Sequence, residues 1–261
     1  MVMLALEQVG VTLGRRTVVR GVDAAFAAGT LTGIVGPNGA GKSTLARAML
    51  ALVPATGRVL LDGEAVADMP RAELARRIAY LPQGQTLHWP LTVDRLVGLG
   101  RLPHLAPMSK VGGPDAEAIA RAMERADVMD LKDRNATELS GGERARVLFA
   151  RALAVEAPGL IADEPLASLD PGHQIDVMEM LRGEADAGAM VVAVLHDLTM
   201  AARYCDRLLL IDGGAVAADG PPAEVLTPEL LRQVYGIDAR VETGGDWPTV
   251  TTFGRVRDKD D

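Results

Sequence analysis

Short apolar runs separated by turn residues recur along the chain and predict buried strands. The clearest runs are residues 31–35, 190–195 and 208–211, which are rich in Val, Leu and Ile and far too short to cross a membrane. Such runs are typical of parallel strands that are buried on both faces. Residues 4–13 instead alternate apolar with polar positions, which predicts a half-buried edge strand. Shorter apolar runs predict further strands at residues 59–61, 78–81 and 160–163.

Helical patterns lie between most of these strands. Residues 91–151 are also mostly helical in pattern, with a loop bounded by prolines at 103–114. This alternation of strands and helices predicts an α/β core with a mostly parallel sheet, interrupted by a helical insertion. The predicted helices of the core are residues 43–52, 71–77, 171–187 and 198–204.

The same pattern divides the chain into three parts. Residues 1–84 and 158–241 are assigned to one discontinuous α/β core, and residues 85–157 to a helical subdomain. Residues 242–261 end in Arg-Asp-Lys-Asp-Asp and are predicted to be a loosely held C-terminal extension with a frayed end.

Composition and charge narrow the class of protein. With 48% hydrophobic residues, the 261-residue chain can bury a sizeable core. Glu7 interrupts the first apolar stretch and no basic leader precedes it, so no signal peptide is expected. The single cysteine, Cys205, cannot form an intramolecular disulfide and suits a reducing compartment. Because the net charge is −8, a general nucleic-acid groove is not expected. We therefore expect a cytosolic protein that would reach a membrane process only through partner subunits.

The segment 36–43, Gly-Pro-Asn-Gly-Ala-Gly-Lys-Ser, follows a predicted strand and precedes a predicted helix. In this setting the glycines let backbone N–H groups point at a β-phosphate beside the positive end of the helix. Lys42 could then reach the β- and γ-phosphates, and the Ser43 hydroxyl could bind Mg²⁺. A glycine-rich turn with a solvated lysine is the alternative, and the strand–loop–helix order disfavours it. The predicted nucleotide-binding residues here are Gly36, Pro37, Asn38, Gly39, Ala40, Gly41, Lys42, Ser43 and Thr44.

Two adjacent carboxylates, Asp163 and Glu164, follow the predicted strand at 160–163. Ligands of parallel α/β sheets collect at the carboxyl ends of the strands. We therefore expect Asp163 to hold the water shell of Mg²⁺ and Glu164 to polarise the water that attacks a γ-phosphate. An acidic turn that merely ends a strand is the alternative.

The segment Leu139-Ser-Gly-Gly-Glu143 has the form of a helix start, with Ser140 as the N-cap and Glu143 completing a capping box. An ordinary helix cap explains this pattern by itself. The first turn of such a helix is also an anion site, since the Ser140 hydroxyl and the amides of Gly141 and Gly142 are exposed there. We expect this turn to bind the γ-phosphate of a nucleotide that a second molecule holds.

With these motifs the chain resembles the ATPase subunit of ATP-binding cassette (ABC) transporters over nearly all residues up to Val241. Gln83 in Leu-Pro-Gln matches a glutamine that touches Mg²⁺ and senses the membrane subunit. Asp170 in Ser-Leu-Asp matches a loop that crosses the dimer interface, and His196 in Leu-His-Asp matches a histidine that contacts the γ-phosphate. The resemblance implies a P-loop NTPase core with a mixed, mostly parallel sheet, an antiparallel N-terminal β subdomain and a helical signature subdomain.

The resemblance also implies the chemistry of the site. ATP would be hydrolysed with Mg²⁺ at a head-to-tail dimer interface. It implies catalytic roles for Glu164, His196, Lys42 and Gln83, and metal-binding roles for Ser43, Gln83 and Asp163.

Other segments resemble one branch of the family, the ATPases of importers for iron-siderophore complexes, haem and vitamin B12. They include Leu-Thr-Val at 91–93, Gly-Leu-Gly-Arg at 98–101 and Ala-Val-Leu-His-Asp-Leu at 193–198. This implies a homodimer on the cytoplasmic side of the cell membrane, bound to polytopic permease subunits and served indirectly by a substrate-binding protein, with no nucleic-acid partner. His88 and Trp89 either line the groove that receives a permease helix or form a loop that packs a Trp. The alternative function is a soluble ABC ATPase that acts on ribosomes or DNA.

The chain departs from the family pattern at two positions. Leu13 stands where the family commonly stacks an aromatic residue on adenine, so we expect weaker or less base-selective nucleotide binding, with Leu13 still in apolar contact. Glu143 stands where the family often has Gln. Its negative charge makes direct contact with phosphate doubtful, so the contact is assigned to Ser140 and Gly142.

Overall fold

A computed structural model describes residues 3–84, 89–106, 112–242, 244 and 247–256 of the chain. In the described residues the strands are β1 Met3–Leu13, β2 Arg16–Ala27, β3 Thr30–Val35, β4 Thr56–Leu61, β5 Glu64–Ala65, β6 Ile78–Leu81, β7 Gly159–Asp163, β8 Met190–Val194, β9 Arg207–Asp212, β10 Ala215–Gly220, β11 Ile237–Glu242 and β12 Thr249–Arg255. The α-helices are α1 Lys42–Met49, α2 Arg71–Arg77, α3 Val93–Gly98, α4 Gly113–Arg125, α5 Gly141–Leu153, α6 Pro171–Asp186, α7 Leu198–Tyr204, α8 Pro222–Val225 and α9 Pro228–Leu230. Short 3-10 turns lie at Val66–Asp68, Leu99–His104, Met129–Leu131 and Ala136–Glu138, and a π turn lies at Leu231–Tyr235.

A six-stranded sheet in the order β10-β9-β3-β8-β7-β6 forms the centre of the core. β9, β3, β8, β7 and β6 pair in parallel, and β10 is an antiparallel edge strand. Every residue of β7 and β8 is buried, as expected for apolar strands covered on both faces. The predicted α/β core with a mostly parallel sheet is confirmed.

A second, antiparallel sheet in the order β2-β1-β4-β5 covers the N-terminal part of the core. It confirms the antiparallel N-terminal β subdomain. The prediction that residues 4–13 form an edge strand is wrong, because β1 pairs with β2 on one side and β4 on the other. Alternation reports that one face of a strand is buried and carries no information about pairing at its two edges.

The helical insertion consists mainly of α3, α4 and α5, which pack on one another. Their buried faces belong to the same apolar cluster as Leu81 and Leu160 of the parallel sheet. The predicted loop at 103–114 is shorter at both ends, since a 3-10 turn continues to His104 and α4 begins at Gly113. The exact boundaries of the insertion at residues 85 and 157 stay a prediction. Among the helices of the described ranges, none has both the length and the apolar character that crossing a membrane requires.

The C-terminal residues form a hairpin of β11 and β12, with Val241 opposite Val250 and Ile237 opposite Arg255. The predicted loosely held extension from residue 242 is therefore wrong for residues 249–255. β12 packs against α7, and the Arg203 guanidinium lies 4.9 Å from the centre of the Trp247 ring. These contacts hold the strand, because β-branched residues pair with β11 while an aromatic ring stacks on a cation. The predicted frayed end, residues 257–261, lies outside the described residues.

Candidate active site

The glycine-rich loop connects β3 to the first turn of α1, and two of its glycines are required by close backbone approaches. A Cβ on Gly36, whose φ is 149°, would lie 2.1 Å from the carbonyl oxygen of Ile211. A Cβ on Gly41, whose φ is 105°, would lie 2.7 Å from the carbonyl oxygen of Val18. Since α1 begins at Lys42, the loop leads directly into the helix N-terminus, whose unpaired backbone N–H groups can bind an anion. We call residues 36–44 the cradle.

Lys42 is only 4% exposed and holds its ammonium inside the cradle. Its Nζ donates to the carbonyl oxygens of Gly36, at 2.7 Å, and of Pro37, at 3.1 Å. Burial lowers the pKa of Lys42, while the nearby charges of Glu164 and Asp163 act in the opposite direction. Among the described residues, the hydrogen-bond partners of this buried cation are neutral carbonyls, and the oxygens of a phosphate would be stronger partners.

Asp163 ends β7 and its side chain is fully buried. Its Oδ2 accepts a hydrogen bond of 3.2 Å from the Tyr80 hydroxyl and lies 3.8 Å from Nη2 of Arg47. Its Oδ1 is buried with no hydrogen-bond partner among the described residues. An unpaired buried carboxylate oxygen is costly, so this atom suits a water molecule or the hydration shell of a cation.

Gln83, Glu164 and His196 meet at the carboxyl ends of neighbouring strands. Gln83 follows β6, Glu164 follows β7 and His196 follows β8, and these three strands are adjacent in the sheet. Oε1 of Glu164 lies 2.7 Å from Nε2 of His196, and Oε2 accepts a hydrogen bond from the Gln83 amide. Glu164 has a positive φ of 51°, and its backbone N–H donates to the carbonyl oxygen of Val194. The structure thus brings together three predicted catalytic side chains that lie far apart in sequence.

These three side chains and all of the cradle except the buried Ala40 line one cleft of about 1010 Å³. Four further residues of its wall, Arg16, Val18, Tyr235 and Arg255, were missed by the sequence reasoning. Leu13 is 45% exposed and lies outside this wall, so its predicted contact with adenine stays a prediction.

The predicted second half of the site is a capped helix start. Ser140 caps α5 and accepts from the backbone N–H of Glu143 at 3.3 Å, while Oε2 of Glu143 accepts from the Ser140 N–H at 2.8 Å. The predicted capping box is therefore confirmed. Oε1 of Glu143 lies 2.7 Å from Nη1 of Arg134, and the Ser140 N–H, together with Arg134, holds the pKa of Glu143 below its usual range. The Glu143 carboxylate is thus turned back on its own chain.

Gly142 and Asp170 both contact His173. A Cβ on Gly142 would lie 2.0 Å from the His173 ring, so no larger residue fits there without moving the ring. Asp170 caps α6 and accepts from the His173 backbone N–H at 3.1 Å and from its ring. Neither Asp170 nor the Ser140–Gly142 turn forms part of the cleft wall. Within one chain the structure does not bring these predicted nucleotide contacts to the cradle.

Comparison with known proteins gives the family. The sequence model of the family described as "ABC transporter" matches residues 19–167. The hemin import ATP-binding protein HmuV of Pseudomonas aeruginosa is 43% identical over 246 residues, which cover 92% of this chain and 95% of that protein. The cobalamin import ATP-binding protein BtuD of Halobacterium salinarum is 46% identical over 238 residues, which cover 90% of this chain and 59% of that protein.

Solved structures have the same fold. A metal-chelate type ABC transporter in an inward-facing conformation aligns with a TM-score of 0.83 at 22% identity, covering 97% of this chain and 98% of that one. The dimeric structure of a bacterial ABC transporter cassette, MJ0796, aligns with a TM-score of 0.73 at 26% identity, covering 84% of this chain and 98% of that one. On its matched sequence, its fold and its cleft, the chain belongs to the family of ABC transporter ATPases.

Proposed function

We propose that this chain is the ATPase subunit of an importer for an iron chelate, with haem favoured over a siderophore complex or cobalamin. The convergence of Gln83, Glu164 and His196 beside the cradle carries the ATPase part of the proposal. The likeness to a hemin import ATP-binding protein over 92% of this chain supports haem as the cargo.

In the proposed reaction Glu164 accepts the proton of the attacking water. His196 and Gln83 hold the two oxygens of the Glu164 carboxylate and so fix its direction. Lys42 exchanges its backbone carbonyl partners for oxygens of the β- and γ-phosphates, where its charge stabilises the transition state.

Mg²⁺ fits the residues of this cleft. Its preferred ligands are oxygens, and it commonly keeps several waters while bridging phosphates. Ser43 at the start of α1, the Gln83 amide oxygen and, through water, the unpartnered Oδ1 of Asp163 would hold it. Across the described ranges no group of three His, Cys, Asp or Glu side chains could hold a metal ion, so phosphate oxygens would complete the ligand set. Bound there, Mg²⁺ would neutralise charge that develops on the phosphates.

We further propose that the working form is a head-to-tail homodimer. The cradle of one copy and the Ser140–Gly142 turn of the other would then clasp each nucleotide, with Asp170 at the interface. Two facts support this arrangement: the turn lies outside the cleft wall of its own chain, and a cassette with the same fold is dimeric. Such an interface repeats the same contacts twice, as a two-fold dimer requires.

A polytopic permease would hold the dimer at the cytoplasmic side of the cell membrane, and a separate binding protein would deliver the cargo to that permease. Trp89 is 78% exposed, which suits contact with a permease helix better than packing within its own loop. His88, the other candidate for this contact, lies outside the described residues.

Co-expression with a permease of a haem importer tests this function against its rival, a soluble ABC ATPase that acts on ribosomes or DNA. We expect the chain to sediment with membranes only when the permease is present, and a Trp89→Ala variant to be retained less. A Phe253→Ala variant is a matched control, because Phe253 is a 65% exposed aromatic on the C-terminal hairpin. Co-sedimentation with ribosomes and no retention by the permease would contradict the proposal.

A further inference from the structure

Two residues of the cleft wall, Tyr235 and Arg255, come from the C-terminal part of the chain. Both lie beyond the family match at residues 19–167. None of the recognised nucleotide motifs includes them, and the sequence alone placed Arg255 within a loosely held extension, residues 242–261.

Backbone pairing fixes the position of Arg255. It is the last residue of β12 and lies opposite Ile237 of β11. The next residue, Val256, donates its N–H to the carbonyl oxygen of Gly236 at 2.9 Å. Gly236 has a φ of 63° and ends the π turn that carries Tyr235. The end of β12 is therefore held directly beside Tyr235.

Tyr235 in turn lies against the start of the cradle. Its phenolic oxygen is buried without a hydrogen-bond partner among the described residues. Tyr235 lines the same cleft as Gly36, the first residue of the cradle, and burial raises the pKa of its phenol. Arg255 is thus anchored near the loop that holds phosphates, whereas Arg16, the other arginine of the wall, lies three residues after Leu13 at the start of β2.

Arg255 is exposed, and no carboxylate of the described residues lies within 4.0 Å of its guanidinium. The other arginine of the hairpin, Arg240, lies over the Phe253 ring and 3.9 Å from a carboxylate oxygen of Glu242. A guanidinium carries five N–H donors whose geometry matches phosphate oxygens.

We propose that Arg255 binds the phosphates of the nucleotide held by its own chain, so that the C-terminal hairpin completes the nucleotide site. The inference rests on the ATP binding of the family and is independent of the cargo. It also connects the phosphates to α7, the helix that follows His196, because β12 packs on α7 and Trp247 stacks on Arg203 of that helix.

The experiment compares Arg255→Ala with the matched control Arg240→Ala in the full chain, by calorimetric titration with Mg²⁺–ATP and with adenosine. We expect Arg255→Ala to weaken ATP binding about tenfold, as for one charge-assisted contact at an exposed site, and to leave adenosine binding unchanged. Arg240→Ala should bind ATP as the wild type does, and Arg255→Lys should recover part of the loss. The difference between wild type and Arg255→Ala should shrink as salt is raised.

Unchanged ATP affinity in Arg255→Ala would overturn the proposal. An equal loss for ATP and adenosine would place the contact on the base or ribose and would overturn the phosphate assignment. Thermal melting of each variant shows whether a loss of binding comes from unfolding, which is not expected for an exposed side chain. Failure of haem transport with intact ATP binding would count against the proposed cargo only.

Discussion

Replacing Glu164 with Gln removes the proposed base while keeping the size of the side chain. In the structure one carboxylate oxygen of Glu164 faces Nε2 of His196 and the other faces the amide of Gln83. A glutamine can accept from only one of these two partners and cannot take a proton from water. Loss of a general base costs about 10²- to 10⁴-fold in rate, or about 3 to 5 kcal/mol of transition-state stabilisation.

Binding of ATP should survive this change, because the substitution removes a negative charge near the phosphates. We therefore expect Glu164→Gln to bind ATP at least as tightly as the wild type, to release phosphate at least 100-fold more slowly and to elute as a dimer with ATP on size exclusion. Phosphate release and a calorimetric titration measure the first two effects.

Glu143→Gln is the matched control for Glu164→Gln. Like Glu164, Glu143 is a glutamate, but its carboxylate accepts the backbone N–H of Ser140 and pairs with Arg134 of its own chain. A glutamine there keeps an acceptor for the cap, so turnover should change only slightly. Hydrolysis at the wild-type rate in Glu164→Gln would refute the assignment of the base.

Two further substitutions test the Ser140–Gly142 turn and the contact between residue 13 and the adenine ring. Gly142→Ala should push the His173 ring away, since the new Cβ would lie 2.0 Å from it. We expect the variant to lose about 1 to 3 kcal/mol of stability in thermal melting and to hydrolyse ATP more slowly. Adding His173→Ala should recover part of both losses. If Gly142→Ala melts and hydrolyses like the wild type, the ring does not limit this site. Leu13→Tyr should tighten ATP binding by about 1 to 3 kcal/mol and sharpen the preference for ATP over GTP in parallel titrations. Identical titrations of Leu13→Tyr and wild type would show that adenine does not stack at this position.

Most strands of the core could be predicted from the sequence, because apolar runs and glycine patterns involve residues that are close together in the chain. The apolar run at 190–195 and the glycine pattern at 36–41 each depend only on neighbouring residues, and both are found where expected. The position of β1 within its sheet was missed because it depends on the separate pairings of β1 with β2 and β4. No pattern within residues 4–13 carries that information.

The residues of the site also differ in how far the sequence predicted them. The cradle and the carboxylates were predicted from residue chemistry, whereas Gln83 and His196 required resemblance to a family, because nothing near either residue indicates that both would reach Glu164. Neither the motifs nor the resemblance predicted Tyr235 and Arg255. Tyr235 lies on the π turn before β11, and Arg255 reaches the cleft through the pairing of β12 with β11, which no motif marks. The run of β-branched residues at 249–252, Thr-Val-Thr-Thr, was the available signal for β12.

Mixing two inactive variants tests most directly whether each nucleotide is clasped by two chains. Lys42→Ala disables the cradle and keeps the Ser140 turn, whereas Ser140→Arg disables the turn and keeps the cradle. Each alone should be inactive, and an equal mixture should recover about one quarter of wild-type ATPase activity, because half of the dimers would carry one intact site of two. Full activity of Ser140→Arg alone, with no gain on mixing, would show that one chain holds the complete site and would contradict the account.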